Sequence, residues 1–184
     1  RNGLPIEQDP EFDYEKRYQL VAADNVHCYD RTLRLHYNRE PRFYASIAFD
    51  NSIYELRGAN ILCEMRFNKP YGKQSQDASS TGYLVKKGVH PSSDCQQSGQ
   101  TGLLVKYPFP LIRLAELYLN YAEALNEQGN INGACEQLKI IRQRAGILNP
   151  EVPAKNKASK EALRKFIQNE RYIELCFEQK RYWD

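Results

Sequence analysis

Residues 110–129 read PLIRLAELYLNYAEALNEQG, and this stretch decides the fold class. Its pattern is helical, because apolar side chains recur at intervals of three and four residues. One apolar stripe contains Leu111, Ala115, Tyr118, Ala122 and Leu125. A second strip runs beside it through Leu117, Tyr121 and Ala124. A helix with so narrow a polar face is predicted to pack on two sides.

Two more helices are predicted downstream. One runs from Ile131 to Ala145, and Gly146 supplies its C-terminal break. The other starts near Ser159, a favourable N-cap, and extends its apolar face to Phe177. The first two helices resemble a tetratricopeptide-like hairpin, with a Gly-Asn turn between them. Hairpins of this kind bury their faces only against neighbours, so we expect packing partners in a longer chain.

The sequence upstream of these helices has a different composition. It is rich in tyrosine, asparagine, serine and glycine, and its candidate strands are short: residues 43–49, 61–67 and 83–85. The stretch from 68 to 102 carries several turn-forming clusters and is predicted to be mostly loop. A loop that long in a compact domain is usually functional or disordered.

This change in pattern divides the chain into two predicted parts. Residues 1–109 are predicted to be a loop-rich segment with short strands, and this is the part expected to face a ligand. Residues 110–184 are predicted to be a C-terminal helical scaffold. The predicted fold class is therefore mainly α, with tetratricopeptide-like helical hairpins and a loop-rich, partly β region.

Composition narrows the possible functions. The 184 residues are 41% hydrophobic and 27% charged, as in an ordinary globular domain, and the net charge of +3 does not indicate a nucleic-acid partner. No run of about 18 apolar residues is present. The five cysteines and three histidines lack metal-ligand spacing, so neither a metal nor another cofactor is predicted. Both ends look interrupted, so we expect a piece of a longer protein.

Several charged residues fall inside the apolar stripes. At about 100° per residue, Glu170, Glu174 and Arg181 lie on the apolar face of the third helix, and Arg142 on that of the second. Buried charges must be paired, so we expect Arg142 and Arg181 to meet Glu170, Glu174 or Glu123. The alternative is that Glu170 and Glu174 are the acid/base pair of a glycoside hydrolase. Carboxylates four residues apart beside arginines more often form a structural ion network.

Four motifs resemble those of the SusD/RagB family, in the family's order. Residues 108–124 look like its R-hydrophobic-A-E-x-Y-L-x-Y-A-E-A helix, and residues 141–146 match its I-R-x-R-A-G turn. Residues 170–184 match its E-R-x-x-E-L-x-F-E-x-x-R-x-x-D signature, and residues 38–44 resemble its N-R-D/E-P-R-F/L segment. The resemblance covers about residues 36–184, and its motifs are expected to be scaffold and not ligand site.

The resemblance implies a location, a partner and a ligand class. Family members are lipid-anchored on the extracellular face of the outer membrane and cover a TonB-dependent transporter of the SusC/RagA type. The anchoring cysteine has no counterpart in this sequence. Members bind oligosaccharides, or in some cases peptides, and pass them inward uncleaved, which implies a binding protein and not an enzyme.

Three classes of function remain open. The leading one is a glycan receptor, with a peptide-binding version of the same uptake complex as its alternative. A helical-repeat interaction scaffold without a small ligand is the second class. A hydrolase is the third, and the sequence contains no G-x-S-x-G, H-E-x-x-H or Cys/His signature that would favour it.

The ligand site is predicted in the loop-rich part. Sugar rings stack on exposed aromatic faces, while arginine, asparagine and aspartate bond their hydroxyls. The chain has 13 tyrosines and one tryptophan, so tyrosine is the expected stacking residue. The candidate ligand-binding residues are Tyr54, Tyr71, Tyr83, Arg66, Asn68 and Asp50. For each tyrosine the alternative is partial burial with a bonded hydroxyl.

Overall fold

A computed structural model describes residues 4–66, 68–72, 79–94, 104–108 and 110–182. The chain divides into two compact units. The helical unit contains described residues 4–9, 40–42 and 110–182, and the loop-rich unit contains 10–39 and 43–108. The change at residue 110 coincides with the change in sequence pattern. The segments 4–9 and 40–42 also belong to the helical unit. The sequence did not predict this assignment, because segments of this length are too short to show a helical periodicity.

Three antiparallel strand pairs and a short helix form most of the described part of the loop-rich unit. In chain order the elements are β1 (Leu20–Ala22), β2 (Arg31–Leu33), α1 (Pro41–Ser46), β3 (Ile47–Ala48), β4 (Ile53–Leu56), β5 (Ala59–Leu62) and β6 (Leu84–Val85). The pairs are β1 with β2, β3 with β6, and β4 with β5. Arg57 and Gly58 join β4 to β5 and have φ of 57° and 68°. These values fit a type I′ turn, which needs positive φ at both central residues.

Two of the short strand predictions are partly correct. Strand β5 includes only the first two residues of the stretch predicted at 61–67, and Phe67 lies outside the described residues. Strand β6 falls within the stretch predicted at 83–85.

A buried aromatic cluster forms the core of the loop-rich unit. Tyr44 and Phe49 pack with Cys28, and His27 stacks on Tyr44 with ring centroids 4.0 Å apart. The strand predicted over 43–49 is wrong as far as Ser46, where helix α1 occupies the segment, and only Ile47–Ala48 form a strand, β3. The chain enters α1 at Pro41, whose fixed φ suits a first helical turn. A short apolar run does not by itself distinguish a strand from a buried helix.

Upstream of α1, residues Arg34–His36 form a 3-10 turn, which we call the histidine turn. Two further 3-10 turns lie at Ile6–Gln8 and Tyr14–Lys16. These short turns make few backbone hydrogen bonds of their own; in the histidine turn Tyr37 N donates to Arg34 O at 3.1 Å. Side-chain contacts therefore have to supply most of the local order.

Four helices form the helical unit: α2 (Leu114–Glu127), α3 (Ile131–Arg144), α4 (Ala154–Lys157) and α5 (Lys160–Glu174). Asn130 caps α3 by accepting from Gly133 N at 2.9 Å, and Ser159 caps α5 by accepting from Ala162 N at 3.1 Å. The predicted extension of the third helix to Phe177 is wrong, because the backbone turns out of the helix there, with φ of 62° at Phe177.

The helical core is aliphatic and comes from the predicted stripes of α2, α3 and α5. Its least exposed members are Leu119, Ala122, Leu138, Ile141, Leu163 and Ile167. The prediction that α2 packs on two sides does not hold within this chain, because Leu117 and Tyr121 are 52% and 55% exposed. Helices α3 and α5 both cover the other face. Helix α2 also starts later than predicted, so Leu111 precedes it and is exposed.

The predicted fold class, mainly α with a loop-rich and partly β region, is confirmed. A search of the described residues finds no helix with both the length and the apolar character needed to cross a bilayer.

Candidate functional site

Charged side chains are buried together in the helical unit. Arg142 is 1% exposed, and its Nη1 donates to Glu170 Oε2 at 2.9 Å. The Nε of Arg142 donates to the carbonyl of Pro150 at 2.9 Å, so the guanidinium is bonded on two sides. Glu170 is itself 2% exposed. Such burial is tolerated only because each charge has a partner of opposite sign.

Glu174 is the most connected carboxylate of this group. Arg113 Nη1 donates to its Oε1 at 2.7 Å, Arg42 Nη1 donates to its Oε2 at 3.0 Å, and Arg144 also bonds Oε1. Burial alone would raise the pKa of Glu174, but the hydrogen bonds from Arg113 and Arg42 outweigh it and hold this pKa below the usual 4.5. Glu174 therefore stays ionised at neutral pH.

Additional ion pairs extend the group. Arg42 Nη1 lies 2.7 Å from Glu170 Oε1 and its Nη2 lies 2.8 Å from Glu40 Oε2. Arg113 Nε donates to Glu178 Oε2 at 2.7 Å. We call the resulting set of four arginines and four glutamates the buried ion cluster: Arg42, Arg113, Arg142, Arg144, Glu40, Glu170, Glu174 and Glu178. Its formal charges balance.

All four sequence motifs meet in the buried ion cluster. Glu40 and Arg42 come from the motif at 38–44, Arg113 from 108–124, Arg142 and Arg144 from 141–146, and Glu170, Glu174 and Glu178 from 170–184. The charged residues of the motifs are thus the residues whose ion pairs join distant segments of the helical unit. A role in holding the helices together accounts for them without a ligand.

The structure brings together three of the five residues predicted for an ion network. Arg142, Glu170 and Glu174 lie in the buried ion cluster, whereas Arg181 is exposed with its guanidinium 5.1 Å from the centroid of the Tyr172 ring. Arg181 lies elsewhere because α5 ends at Glu174, so the helical spacing no longer applies. Glu123 is half-buried on α2 and acts electrostatically on Arg164.

Sequence periodicity missed the other members of the buried ion cluster. Arg113 precedes α2, and Glu40 and Arg42 are far from α5 in sequence, so helical spacing does not relate them to Glu174. The available signal was that each of these residues stands at a charged position of one of the motifs. If the charged positions of all four motifs are assumed to be neighbours in the fold, these residues are predicted to lie in one cluster.

The six predicted ligand residues fall in two places in the loop-rich unit. Asp50 Oδ2 accepts from Arg66 Nε at 2.9 Å, and its Oδ1 accepts from Met65 N at 2.9 Å. Asn68 and Tyr71 belong to the same tight loop, in which Tyr71 N donates to the carbonyl of Glu64 at 3.1 Å. This loop carries an exposed arginine and an exposed asparagine beside a half-buried tyrosine.

Gly72 closes that loop by a close backbone approach. A Cβ atom at this position would lie 1.7 Å from the carbonyl oxygen of Arg66, so only glycine fits. The conformation that presents Arg66 and Asn68 therefore depends on this residue.

Tyr54 and Tyr83 lie near strand β6. The Tyr54 hydroxyl donates to the carbonyl of Val85 at 3.0 Å, and the Tyr83 hydroxyl lies 2.8 Å from His36 Nε2. Burial, and then the charge of Arg39, lower the pKa of His36 to about 4. The imidazole is therefore neutral at pH 7. Tyr83 still exposes 36% of its surface, so its ring is partly accessible.

The contact of Arg17 with two tyrosine rings is a feature that the sequence analysis did not predict. The guanidinium carbon of Arg17 lies 4.2 Å from the centroid of the Tyr14 ring and 4.6 Å from that of the Tyr18 ring. Tyr18 is 64% exposed. The signal was the local order of aromatic, basic and aromatic residues in YEKRY at 14–18.

The described residues contain no group of three or more histidine, cysteine or acidic side chains that could hold a metal ion. Cys28, Cys63 and Cys135 are buried free thiols, as expected of small apolar residues. Cys95 lies outside the described residues.

A model of the SusD family matches residues 14–184 of the chain. No curated protein matches it. Among solved structures, BT4246 in its selenomethionine form is 32% identical with a TM-score of 0.77, and the match covers 99% of this chain and 32% of that one.

Two solved proteins of Bacteroides fragilis NCTC 9343 are also similar. The SusD-like protein BF3747 is 32% identical with a TM-score of 0.65, over 81% of this chain and 28% of that one. The SusD-like carbohydrate binding protein BF0978 is 28% identical with a TM-score of 0.58, over 82% of this chain and 29% of that one. The chain thus spans about a third of the length of these solved relatives.

Proposed function

The chain belongs to the SusD family, and from this membership we propose that it is part of a non-catalytic surface protein that captures oligosaccharides. The resemblance inferred from four motifs is confirmed by the family match and by the solved SusD-like relatives. The match over residues 14–184 is the observation that carries the proposal. The carbohydrate binding stated for BF0978 favours a glycan as the ligand.

The geometry of the acidic residues supports binding without cleavage. A glycoside hydrolase needs one carboxyl group with a raised pKa as acid and a second that is free to act as base or nucleophile. Glu170 bonds Arg42 and Arg142, while Glu174 bonds arginines through both of its carboxylate oxygens. Both carboxylates are thus engaged with arginines and buried, which leaves neither of them free to approach a sugar.

We also propose the location and partner that the family resemblance implies. The full-length protein is lipid-anchored on the extracellular face of the outer membrane. There it works with a SusC/RagA-like TonB-dependent transporter, which receives the ligand. Tyr54, Tyr71, Tyr83, Arg66, Asn68 and Asp50 remain the proposed ligand-binding residues of the loop-rich unit.

A binding screen on the full-length protein tests this function. Isothermal titration with neutral and acidic oligosaccharides and with peptides is carried out on wild type, Tyr71→Ala and Tyr83→Ala. Tyr172→Ala is the matched control, because this tyrosine is exposed on the helical unit. Since an aromatic contact contributes about 1 kcal/mol, we expect roughly fivefold weaker glycan binding in the first two variants and no change in the control.

Other outcomes point elsewhere. Saturable binding of peptides without glycans assigns the peptide-binding version of the uptake complex. Binding of neither class contradicts a glycan receptor and favours an interaction scaffold. Chromatography of the recovered oligosaccharide should show it intact, and shortened products would contradict a non-catalytic role.

A further inference from the structure

The imidazole of His36 lies inside the loop-rich unit and has a polar neighbour at each ring nitrogen. His36 is 4% exposed, and its ring centroid lies 4.3 Å from that of Phe49. Its Nδ1 lies 3.4 Å from Thr32 Oγ1, and its Nε2 lies 2.8 Å from the hydroxyl oxygen of Tyr83. Thr32 is also buried. The imidazole thus connects a buried residue of β2 to a partly exposed tyrosine.

The backbone that carries this imidazole is fixed by hydrogen bonds to residues outside the histidine turn. The Tyr44 hydroxyl donates to the carbonyl of His36 at 2.7 Å. Leu35 N donates to the carbonyl of Arg17 at 2.9 Å. Tyr44 is itself buried in the aromatic cluster. The position of the His36 ring is therefore set by packing and by hydrogen bonds to both its backbone and its side chain.

Tyr83 reaches the imidazole from a distant segment of the chain. Its backbone is held by Ser79, whose hydroxyl donates to the carbonyl of Tyr83 at 2.7 Å, and strand β6 begins at the next residue. The rings of Tyr83 and His36 meet edge to face, with centroids 5.5 Å apart and an angle of 86° between their planes. The hydroxyl end of the tyrosine thus lies against a buried group, while 36% of the residue remains exposed.

Both ring nitrogens of His36 need a partner, because the imidazole is buried and neutral. A neutral imidazole has one N–H donor and one acceptor nitrogen, and the hydroxyls of Thr32 and Tyr83 can each donate or accept. Either tautomer therefore satisfies both nitrogens while Tyr83 keeps this position. A different orientation of the Tyr83 side chain would remove the partner of Nε2, and a buried polar atom without a partner is unfavourable. The contact therefore favours one orientation of the tyrosine ring.

Tyr54 provides a comparison among the proposed ligand residues. Its hydroxyl donates to the carbonyl of Val85 at 3.0 Å in an exposed contact. An exposed carbonyl can bond water when the tyrosine moves away, whereas the imidazole of His36 is largely withdrawn from water. The orientation of Tyr83 is therefore expected to depend on its hydroxyl partner more strongly than that of Tyr54.

We propose that His36 is a positioning residue for the ligand contact of Tyr83. By holding the hydroxyl end of this side chain, it presents the exposed part of the ring in one orientation, as stacking on a sugar ring requires. A side chain that is already ordered loses less conformational freedom when the ligand binds. This inference rests on the proposed glycan-binding function, and His36 itself does not touch the ligand.

Two amide substitutions distinguish the two ring nitrogens. Glutamine places its amide group near the position of Nε2, which faces Tyr83, whereas asparagine places it near that of Nδ1, which faces Thr32. The full-length protein is titrated calorimetrically with maltohexaose, xylohexaose, mannohexaose and trigalacturonate, and the tightest of these ligands is used for every variant. We expect His36→Asn to weaken binding about fourfold and His36→Gln to change it by less than about 1.5-fold.

A double-mutant cycle tests whether His36 acts through Tyr83. Tyr83→Phe removes the hydroxyl and keeps the ring, so it should also weaken binding about fourfold. The double variant with His36→Asn should bind no more weakly than either single variant, because one contact can be lost only once. Tyr54→Phe is the matched control, since its hydroxyl bonds a backbone carbonyl, and its effect should multiply with that of His36→Asn. Thermal unfolding checks that the variants are folded, and Tyr83→Phe tests the contact from the other side should His36→Asn not fold.

The outcomes distinguish this role of His36 from the proposed function. Wild-type affinity in both His36→Asn and Tyr83→Phe, or effects of the two that multiply in the double variant, overturns the positioning role and leaves the glycan receptor intact. Equal losses in His36→Asn and His36→Gln do the same, because they show a general disturbance of the core. Binding of no oligosaccharide by the wild type overturns both. A loss in His36→Asn that His36→Gln avoids, with no further loss in the double variant, supports the positioning role.

Discussion

The helical unit and the loop-rich unit use arginine in different ways. In the helical unit Arg42 and Arg142 are withdrawn from solvent and bonded to glutamates of α5. In the loop-rich unit Arg17 and Arg34 are held by tyrosine rings, a carbonyl and an amide, which are neutral. Charge that is paired inside a scaffold contributes to structure. Charge that is held by neutral groups adds no salt bridge to the unit that carries it.

The two units also differ in what orders their backbones. The helical unit relies on long helices with an aliphatic core and on capped helix ends. The loop-rich unit has only short strands, and side chains bond its backbone instead. For example, the Tyr44 hydroxyl donates to the carbonyl of His36 at 2.7 Å and accepts from Arg39 N at 3.0 Å. Hydrogen bonds from individual side chains therefore contribute more to the local backbone structure in the loop-rich unit than in the helical unit.

Removing one arginine of the buried ion cluster should have the largest effect on stability. Arg142→Met leaves Glu170 buried with only part of its neutralising charge, and breaking a buried pair typically costs about 3–5 kcal/mol. Urea unfolding of the full-length protein should show this loss. Arg181→Met is the matched control, because Arg181 is exposed, and it should change the unfolding free energy by less than about 0.5 kcal/mol.

Wild-type stability of Arg142→Met would contradict the structural role of the cluster. Equal losses in Arg142→Met and Arg181→Met would remove the distinction between buried and exposed arginines of the helical unit.

Acid should act first on the loop-rich unit, through His36. Its pKa is lowered to about 4 in the folded state, so between about pH 6.5 and 4 the unfolded state binds the proton more readily. Stability should therefore fall as pH falls through this window, approaching a loss of about 3 kcal/mol near pH 4. Urea unfolding at several pH values measures the loss, and NMR titration of the imidazole gives its pKa directly.

The variants His36→Gln and Glu174→Gln distinguish the loss of stability in acid that comes from the loop-rich unit from the loss that comes from the helical unit. The first variant should flatten the slope between about pH 6.5 and 4.5. The pKa of Glu174 is lowered in the folded state, so its contribution is present above about pH 4.5 and is lost only as pH falls below that value. An unchanged slope in His36→Gln, or an NMR pKa near 6.5, would refute the prediction.

The smallest effect is expected at the exposed pair of Arg66 and Asp50. Their side chains are 59% and 32% exposed, and exposed pairs contribute about 0–1 kcal/mol. Arg66→Gln should therefore leave the free energy of unfolding nearly unchanged, in contrast to Arg142→Met. A loss above about 2 kcal/mol on urea unfolding would show that the loop-rich unit also depends on its ion pairs.

The sequence by itself predicted the three long helices, the family and part of the ion cluster. Helix α3 begins at Ile131 and helix α5 begins directly after Ser159, as predicted, because capping and apolar spacing act within a few residues of the chain. The same spacing placed Glu170 and Arg142 on apolar faces and so predicted that they need partners. These features are local, or follow directly from the cost of burying a charge.

Only the tertiary structure decided which distant residues meet. Arg42 and Arg113 reach Glu174 across long stretches of sequence, and no periodicity relates residues that helical spacing does not connect. The segment at 43–49 folds as helix α1 followed by β3, because packing chooses between helix and strand when an apolar run is short. The contact of the Tyr83 hydroxyl with His36 Nε2 likewise joins residues that are 47 positions apart in sequence. Local propensity does not encode such contacts, because their free energy comes from groups that meet only in the folded chain.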